Sequence, residues 1–301
     1  MKNISIVVIG STNTDMVVKA HHLPVPGETI LGGTFLMNPG GKGANQAVAV
    51  ARLGGEVTFV AKVGDDIFGH RSLDILKKEG IDSRYVFTDL EHPSGVALIT
   101  VDENAENCIV VAPGANASLN KGDIDRAAGA IMEADFLLMQ LETPLETIEY
   151  AARLAAGNGV KVILNPAPAC PLSPELLSNL YMLTPNKTEA SMLSGIEVTD
   201  METAKQAAQA IHLKGVEVVI ITLGSEGALI YENGFFSTVE ATPVKAVDTT
   251  AAGDTFNGAL TVALSEGLSV KEAVGFASKA AAISVTRMGA QSSVPYRSEI
   301  S

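Results

Sequence analysis

The sequence predicts an α/β protein in which a mostly parallel sheet is covered by helices on both faces. Three observations carry that expectation. Short apolar runs at 4–9, 57–61, 136–140, 160–165 and 218–222 read as buried strands. Stretches at 42–53, 68–79, 120–134, 144–156 and 201–214 alternate with them and read as amphipathic helices. The chain has 301 residues, 47% of them apolar, which is enough for a sizeable core. Strands that are apolar throughout, separated by helices, belong to sheets buried on both sides.

The elements follow in order. The run 4–9 enters a Gly10-Ser11 turn. Helix 42–53 is rich in alanine and stops at Gly54-Gly55. Late in the chain, 228–231 and 235–239 flank Asn233-Gly234 and read as a hairpin. Two long helices close the pattern at 254–265 and 270–286, and the ending at Ser301 reads as a shortened final helix. Two regions break the rhythm. Residues 15–37 hold Met16-Val-Val, Pro24, Pro26 and Thr29-Ile-Leu with no helical period. Residues 94–111 have a hairpin pattern, with Asp102-Glu-Asn-Ala-Glu between two apolar runs. A small separate sheet and ordinary edge strands both fit these regions.

Composition excludes several functions. The net charge of −13 argues against wrapping nucleic acid, and no polybasic segment suits a membrane surface. No apolar run reaches the roughly 18 residues of a membrane span. The start, MKNISIVVIGS, lacks the length and cleavage pattern of a signal peptide. Two cysteines, Cys108 and Cys170, have no metal-ligand spacing and suggest a reducing compartment. The expectation is a soluble cytoplasmic protein.

The chemistry is sought beyond the strand ends, where open α/β sheets bind ligands. The stretch Asp248-Thr-Thr-Ala-Ala-Gly-Asp254 precedes an apolar helix. Asp254 suits a helix cap. The small residues Ala251, Ala252 and Gly253 leave backbone N–H groups uncovered, and such groups at a helix start bind anions. After the first strand, Asn13 and Asp15 can hold hydroxyls or simply build a turn. Asn38-Pro-Gly-Gly-Lys-Gly-Ala-Asn-Gln46 fails the Walker pattern at Gly43 and the dinucleotide pattern at Gln46. Gly40-Gly41 permit close backbone approach, and Lys42 and Asn45 can point at one ligand; a plain helix start fits equally. Asn186 and Glu189, at i and i+3, can support a hydrated magnesium ion or form a capping box. Together these residues read as phosphoryl transfer to a hydroxyl. Asp254 is the general base, and the amides of 251–254 receive the γ-phosphoryl group. Thr222, Gly224 and Gly227 border the nucleotide. Asn13, Asp15, Lys42, Asn45 and Glu142 fix a sugar.

Seven segments, in order, carry a resemblance. They are Gly10-Ser-x-Asn-x-Asp15, Gly40-Gly-Lys-Gly-Ala-Asn-Gln-Ala47, Met139-Gln-Leu-Glu142, Asn165-Pro-Ala-Pro168, Thr184-Pro-Asn-x-x-Glu189, Thr222-Leu-Gly-Ser225 and Asp248-Thr-x-Ala-Ala-Gly-Asp-Thr-Phe-Asn-Gly258. Over nearly its whole length the chain resembles the ribokinase-like family of carbohydrate kinases. The resemblance implies one doubly wound α/β kinase domain over 1–301, with a β-sheet lid inserted from about 13–38 and 92–113. It implies phosphorylation of D-ribose at its 5-hydroxyl by ATP, with magnesium, and dimerisation through lid strands. Carried over by motif, Gly41 and Gly43 join the sugar site. Leu223, Ser225 and Ser278 join Asn186, Thr222, Gly224, Gly227 and Gly253 in the nucleotide site. A monovalent cation, usually potassium, would be held by Asp248, Thr250, Ser284, Arg287, Gly289 and Ser293, mostly through carbonyl oxygens. Ala251 stands where many members of that family have glycine.

Other readings fit the same residues. A kinase of the same fold acting on deoxyribose, fructose or a nucleoside is the nearest. The low aromatic content, 5% with no Trp, offers little for stacking a base. A sugar-binding regulator would not need a base beside an anion site, and a nicotinamide dehydrogenase would need the missing glycine fingerprint.

Overall fold

The computed structural model describes residues 5–103 and 106–300. Ile4, where the expected first strand begins, lies outside the described residues, as do Asn104 and Ala105 of the expected hairpin and Ser301. Strand β1 (Ser5–Ile9) is followed by β2 (Asn13–Lys19), β3 (Thr34–Gly40), helix α1 (Lys42–Arg52), β4 (Glu56–Gly64), α2 (Ile67–Lys78) and β5 (Asp82–Asp89). Next come β6 (Gly95–Val101), β7 (Asn107–Ala112), α3 (Lys121–Glu133), β8 (Phe136–Met139), α4 (Leu145–Gly157), β9 (Lys161–Leu164), α5 (Pro174–Ser178) and β10 (Met182–Leu183). The last third holds α6 (Lys187–Ser194), α7 (Met201–His212), β11 (Val218–Thr222), β12 (Ala228–Glu232), β13 (Phe235–Val239), α8 (Ala252–Ser265) and α9 (Val270–Ser284).

The main sheet has nine strands in the order β13-β12-β11-β10-β9-β8-β1-β4-β5. All its neighbours pair in parallel except β12 and β13, which close the edge as an antiparallel hairpin. Asn233 (φ 52°) and Gly234 (φ 82°) both adopt the left-handed conformation that a two-residue hairpin turn needs. The central strands are mostly apolar because both faces are covered. Val7 and Ile9 enter a core with α3, α4 and α7, whereas Ile6 and Val8 enter a second core with α1, α8 and α9. Each such side chain contributes roughly 1.5–3 kcal/mol by leaving water. From β1 the chain winds one way through β4 and β5 and the other way through β8 to β11. The reversal lies between β1 and β8, and ligand sites in such sheets lie beyond the strand ends there.

A second sheet has four strands in the order β3-β2-β6-β7. The two irregular regions therefore form a separate sheet, not edge strands of the main one. β3 runs on through Asn38 and Pro39 to Gly40, with Pro39 opposite Thr14. Proline is tolerated there because β3 is an edge strand of its sheet. Phe35, Leu98, Ile109 and Val110 of this sheet are more than half exposed. β5 was not expected from the sequence. Its residues, Asp-Ser-Arg-Tyr-Val-Phe-Thr-Asp, are too polar to stand out, as suits a strand on the outer edge.

Candidate active site

The first turn of α8 differs from the expectation in a useful way. The helix starts at Ala252, so Asp254 is its third residue and not its cap. The cap position is Ala251, whose backbone is left-handed (φ 58°) and whose side chain caps nothing. An L-residue with a Cβ carries about 1–2 kcal/mol of strain in that region. Strain of this kind collects at functional sites. The N–H groups of Ala251, Gly253 and Asp254 have no acceptor among the described residues. The Ala252 N–H, expected to be bare, donates to the Thr249 carbonyl at 3.2 Å. The turn thus offers three free amides, not four. Ala251→Gly is expected to relieve the strain and, after glycine's entropy cost, to stabilise the protein by about 0.5–1 kcal/mol. Thermal unfolding should show a rise of roughly 1–3 °C; a fall would mean that residue 251 is not held left-handed.

The Asp254 carboxylate is buried at 5% exposure. Asn45 Nδ2 donates to its Oδ2 at 2.9 Å and Gln46 Nε2 to its Oδ1 at 3.0 Å. Both donors come from the first turns of α1. Asn45 thus grips Asp254 directly, and its Oδ1 stays buried without a partner among the described residues. Asn257, one turn after Gly253, donates from Nδ2 to the Gly253 carbonyl at 2.8 Å. Gln46, Gln140, Asn165 and Asn257 were not singled out as site residues from the sequence. Gln140 and Asn165 each follow an apolar strand, which was the available signal.

The expected sugar residues converge beyond β1 and β8. Glu142 Oε2 accepts the Ser11 hydroxyl at 2.5 Å and the Lys42 N–H at 3.1 Å. Asn13 Oδ1 accepts from Asn116 Nδ2 at 2.8 Å. The Asp15 carboxylate lies against Gly40, in the space a side chain there would fill. Burial pushes its pKa up to about 7, and the Glu142 and Asp254 charges add to the rise. Lys42 has the opposite balance. Burial alone would lower its pKa, but Asp254, Glu142 and Glu189 outweigh this and raise it. The lysine therefore stays charged among carboxylates. Gly41 and Gly43 have a reason the sequence did not show. A Cβ on Gly41 would lie 2.7 Å from Asn13 N, and one on Gly43 2.5 Å from Gly10 C. These glycines seat α1 against the loop after β1.

Two cavities meet at the start of α8. One of about 220 Å³ is lined by Lys42, Asn165, Thr184, Glu189, Asp254 and Asn257, and by residues 251–253. The other, about 700 Å³, is lined by Thr222, Gly224, Ser225, Gly227, Phe256 and Ser278, with the exposed loop 241–246 and helix α9. Asn186, Thr222, Thr249, Ala252 and Gly253 border both. The larger cavity suits a drug-sized ligand. Leu223 is the exception among the expected nucleotide residues. It is 5% exposed, packs in the core with α7 and borders neither cavity, because its apolar side chain is drawn inward.

Asn186 and Glu189 form the capping box of α6. Asn186 Oδ1 accepts from Glu189 N and Glu189 Oε2 accepts from Asn186 N, both at 2.8 Å. Burial raises the Glu189 pKa against the lowering effects of the Asn186 N–H and Lys42. The box takes one carboxylate oxygen and leaves Oε1 outside it. Asp248 joins two loops: Oδ1 accepts from Thr250 N and Oγ1 at 2.9 and 2.6 Å, and Oδ2 from Gly289 N at 2.8 Å. Burial pulls its pKa upward, but these hydrogen bonds win and lower it. The hydroxyls of Ser284 and Ser293 bond to the carbonyls of Ala281 and Ala290, and Arg287 pairs with Glu299. A cation there would meet carbonyl oxygens and Asp248, not these side chains. Among the described residues no group of three or more His, Cys, Asp or Glu could hold a metal ion. No described helix is long and apolar enough to cross a membrane.

Residues 3–297 match the model of the pfkB family of carbohydrate kinases. The ribokinase of Haemophilus influenzae is 48% identical over 98% of this chain and 96% of that protein. A deoxyribokinase of Salmonella typhi is 39% identical, over 96% of this chain and 95% of that protein. The structure of Arabidopsis thaliana ribokinase complexed with ribose and ATP superposes with a TM-score of 0.92 at 34% identity, covering 100% of this chain and 98% of that one.

Proposed function

The chain belongs to the pfkB family of carbohydrate kinases, and on that premise we propose that it transfers the γ-phosphoryl group of ATP to the 5-hydroxyl of D-ribose. The observation that carries this reading is the first turn of α8. One turn holds a buried carboxylate and three free amides; Ala251, Gly253 and Asp254 all line the smaller cavity, and Gly253 borders the larger one as well.

The larger cavity takes the nucleotide. Gly224, Ser225 and Gly227 border it on one side and Ser278 on the other. The triphosphate extends past Gly253, which is exposed and has no side chain to block the backbone. The amides of 251, 253 and 254 receive charge on the γ-phosphoryl oxygens as it redistributes. Asp15, Asn13, Lys42, Asn45 and Glu142 hold the sugar hydroxyls, and the unpartnered Asn45 Oδ1 awaits a donor. Asp254 takes the proton of the attacking 5-hydroxyl. Magnesium bound with ATP supplies charge neutralisation on the phosphates, and Asn186 and Glu189 would hold it through water. A potassium ion would sit among carbonyls of 250, 284, 287, 289 and 293 beside Asp248. The oxygen donors suit it, and it would brace the loop before α8.

The four-stranded sheet acts as a lid in one kinase domain and excludes water over the sugar. Its exposed Phe35, Leu98 and Val110 pair with a second copy to form a homodimer. Two free cysteines, one exposed, suit a reducing cytoplasm.

Turnover of ribose, deoxyribose, fructose and adenosine, assayed side by side with ATP, tests the substrate. Ribose is expected to have the highest kcat/KM. A higher value for deoxyribose would reassign the chain to that sugar, and one for adenosine to nucleosides.

A further inference from the structure

We propose that Gln46 is a positioning residue for this reaction: its amide holds the Asp254 carboxylate, and Gln140 fixes which way that amide points. The inference rests on the role of Asp254 proposed above. Gln46 and Gln140 are both fully buried. Gln46 Nε2 donates to Asp254 Oδ1 at 3.0 Å and to Asn165 Oδ1 at 3.2 Å. Its Oε1 accepts from Gln140 Nε2 at 2.6 Å. The two ends of an amide have nearly the same shape but opposite hydrogen-bonding roles. With the Gln140 NH₂ group against it, the oxygen end of Gln46 is committed. Reversal would set oxygen against carboxylate and NH₂ against NH₂, both desolvated.

The bonds continue beneath the site. Asn165 Nδ2 reaches the Thr184 carbonyl at 3.4 Å, Thr184 Oγ1 donates to Asn257 Oδ1 at 2.6 Å, and Asn257 Nδ2 donates to the Gly253 carbonyl. Buried side chains from α1, α8 and the ends of β8, β9 and β10 therefore tie the carboxylate to the peptide that carries the free amides. A base and an anion site must keep their spacing closely, because a shift of about 1 Å costs on the order of 10²-fold in rate.

Stability does not account for glutamine at 140. Its Oε1 is buried with no partner among the described residues and lies where a Cβ on Gly10 would be. A buried unpaired acceptor costs about 1–3 kcal/mol. Methionine has a similar size and would fill the space without that cost. What methionine lacks is the donor to Gln46.

Gln46→Met, Gln140→Met and the double variant test this, with kcat, the KM values for ribose and ATP, and the melting temperature of each. Gln46→Met is expected to lower kcat about 10–100-fold with both KM values within about threefold. Gln140→Met should lower kcat about 3–10-fold without lowering the melting temperature, and the double variant should be no worse than Gln46→Met alone. An unchanged kcat in Gln46→Met, a loss confined to KM, or multiplying losses in the double variant would overturn the proposal. Should Gln46→Met fail to fold, an unchanged kcat in Gln140→Met does so by itself. Asp254→Asn, run in parallel, separates the two readings. If it is inactive while Gln46→Met is normal, only the positioning role fails; if it retains turnover, the role of Asp254 fails first.

Discussion

Asp254→Asn is expected to lower kcat by about 10²–10⁴-fold while ribose still binds within roughly threefold of the parent affinity. The substitution keeps size and shape and removes the basic oxygen. The free amides of the α8 turn and the proposed sugar contacts of Asp15, Lys42 and Glu142 are untouched. The carboxamide introduced by Asp254→Asn would meet two donors, from Asn45 and Gln46, where the carboxylate now accepts both. One of them must lose its acceptor, so a fall of a few degrees in melting temperature is also expected. Steady-state kinetics and ribose binding by calorimetry separate these effects. Turnover within tenfold of the parent would remove Asp254 from the chemistry. Loss of binding together with turnover would make it a sugar contact only.

Asp15→Asn is expected to act on the other parameter. In the proposed site the ionised Asp15 would accept ribose hydroxyls, and hydrogen bonds to a charged group are worth about 1.5–3 kcal/mol, so KM for ribose should rise roughly 10–100-fold. Because the Asp15 pKa is raised to about 7, protons compete with the sugar near neutrality. Ribose affinity should be full above pH 7 and fall by up to about tenfold per unit below it, and Asp15→Asn should abolish that dependence. The effect on stability has the opposite sense. Below about pH 4 both folded and unfolded chains hold this proton, so nothing is lost. Between there and about 7 the unfolded chain releases it first, and the native state loses stability as pH rises. The full linkage is about 4 kcal/mol, and partial exposure reduces it to about 1–2 kcal/mol. Asp15→Asn should therefore raise the melting temperature at pH 8 and do so less at pH 5. A melting temperature lowered at pH 8 would contradict the crowding of Asp15 with Glu142 and Asp254.

What the sequence allowed, and what it hid, follows from which forces leave a local trace. Burial on both faces makes β1, β8, β9, β11 and the middle of β4 mostly apolar, so these strands could be read directly. β5 could not, because an outer strand keeps its charges. Asp254 was visible as an acidic residue after three small ones at a helix boundary. The left-handed Ala251 was not, since alanine prefers a right-handed backbone and only the surrounding fold holds it otherwise. The amide network failed to show for a related reason. Gln46 and Gln140 lie 94 positions apart and resemble surface residues until β1, β8 and α1 pack together. Gly40-Gly41 were visible as a close-approach pair, yet what approaches Gly41 is the chain's own loop after β1. Leu223 fell inside a nucleotide motif, but its side chain obeys hydrophobicity and turns to the core.

A crystal structure with ribose and a non-hydrolysable ATP analogue tests the central claim most directly. It should place a carboxylate oxygen of Asp254 about 2.6–3.2 Å from the ribose 5-hydroxyl, with the γ-phosphoryl group on the amides of 251, 253 and 254. A 5-hydroxyl held by some other side chain, or a γ-phosphoryl group bound away from those amides, would contradict it.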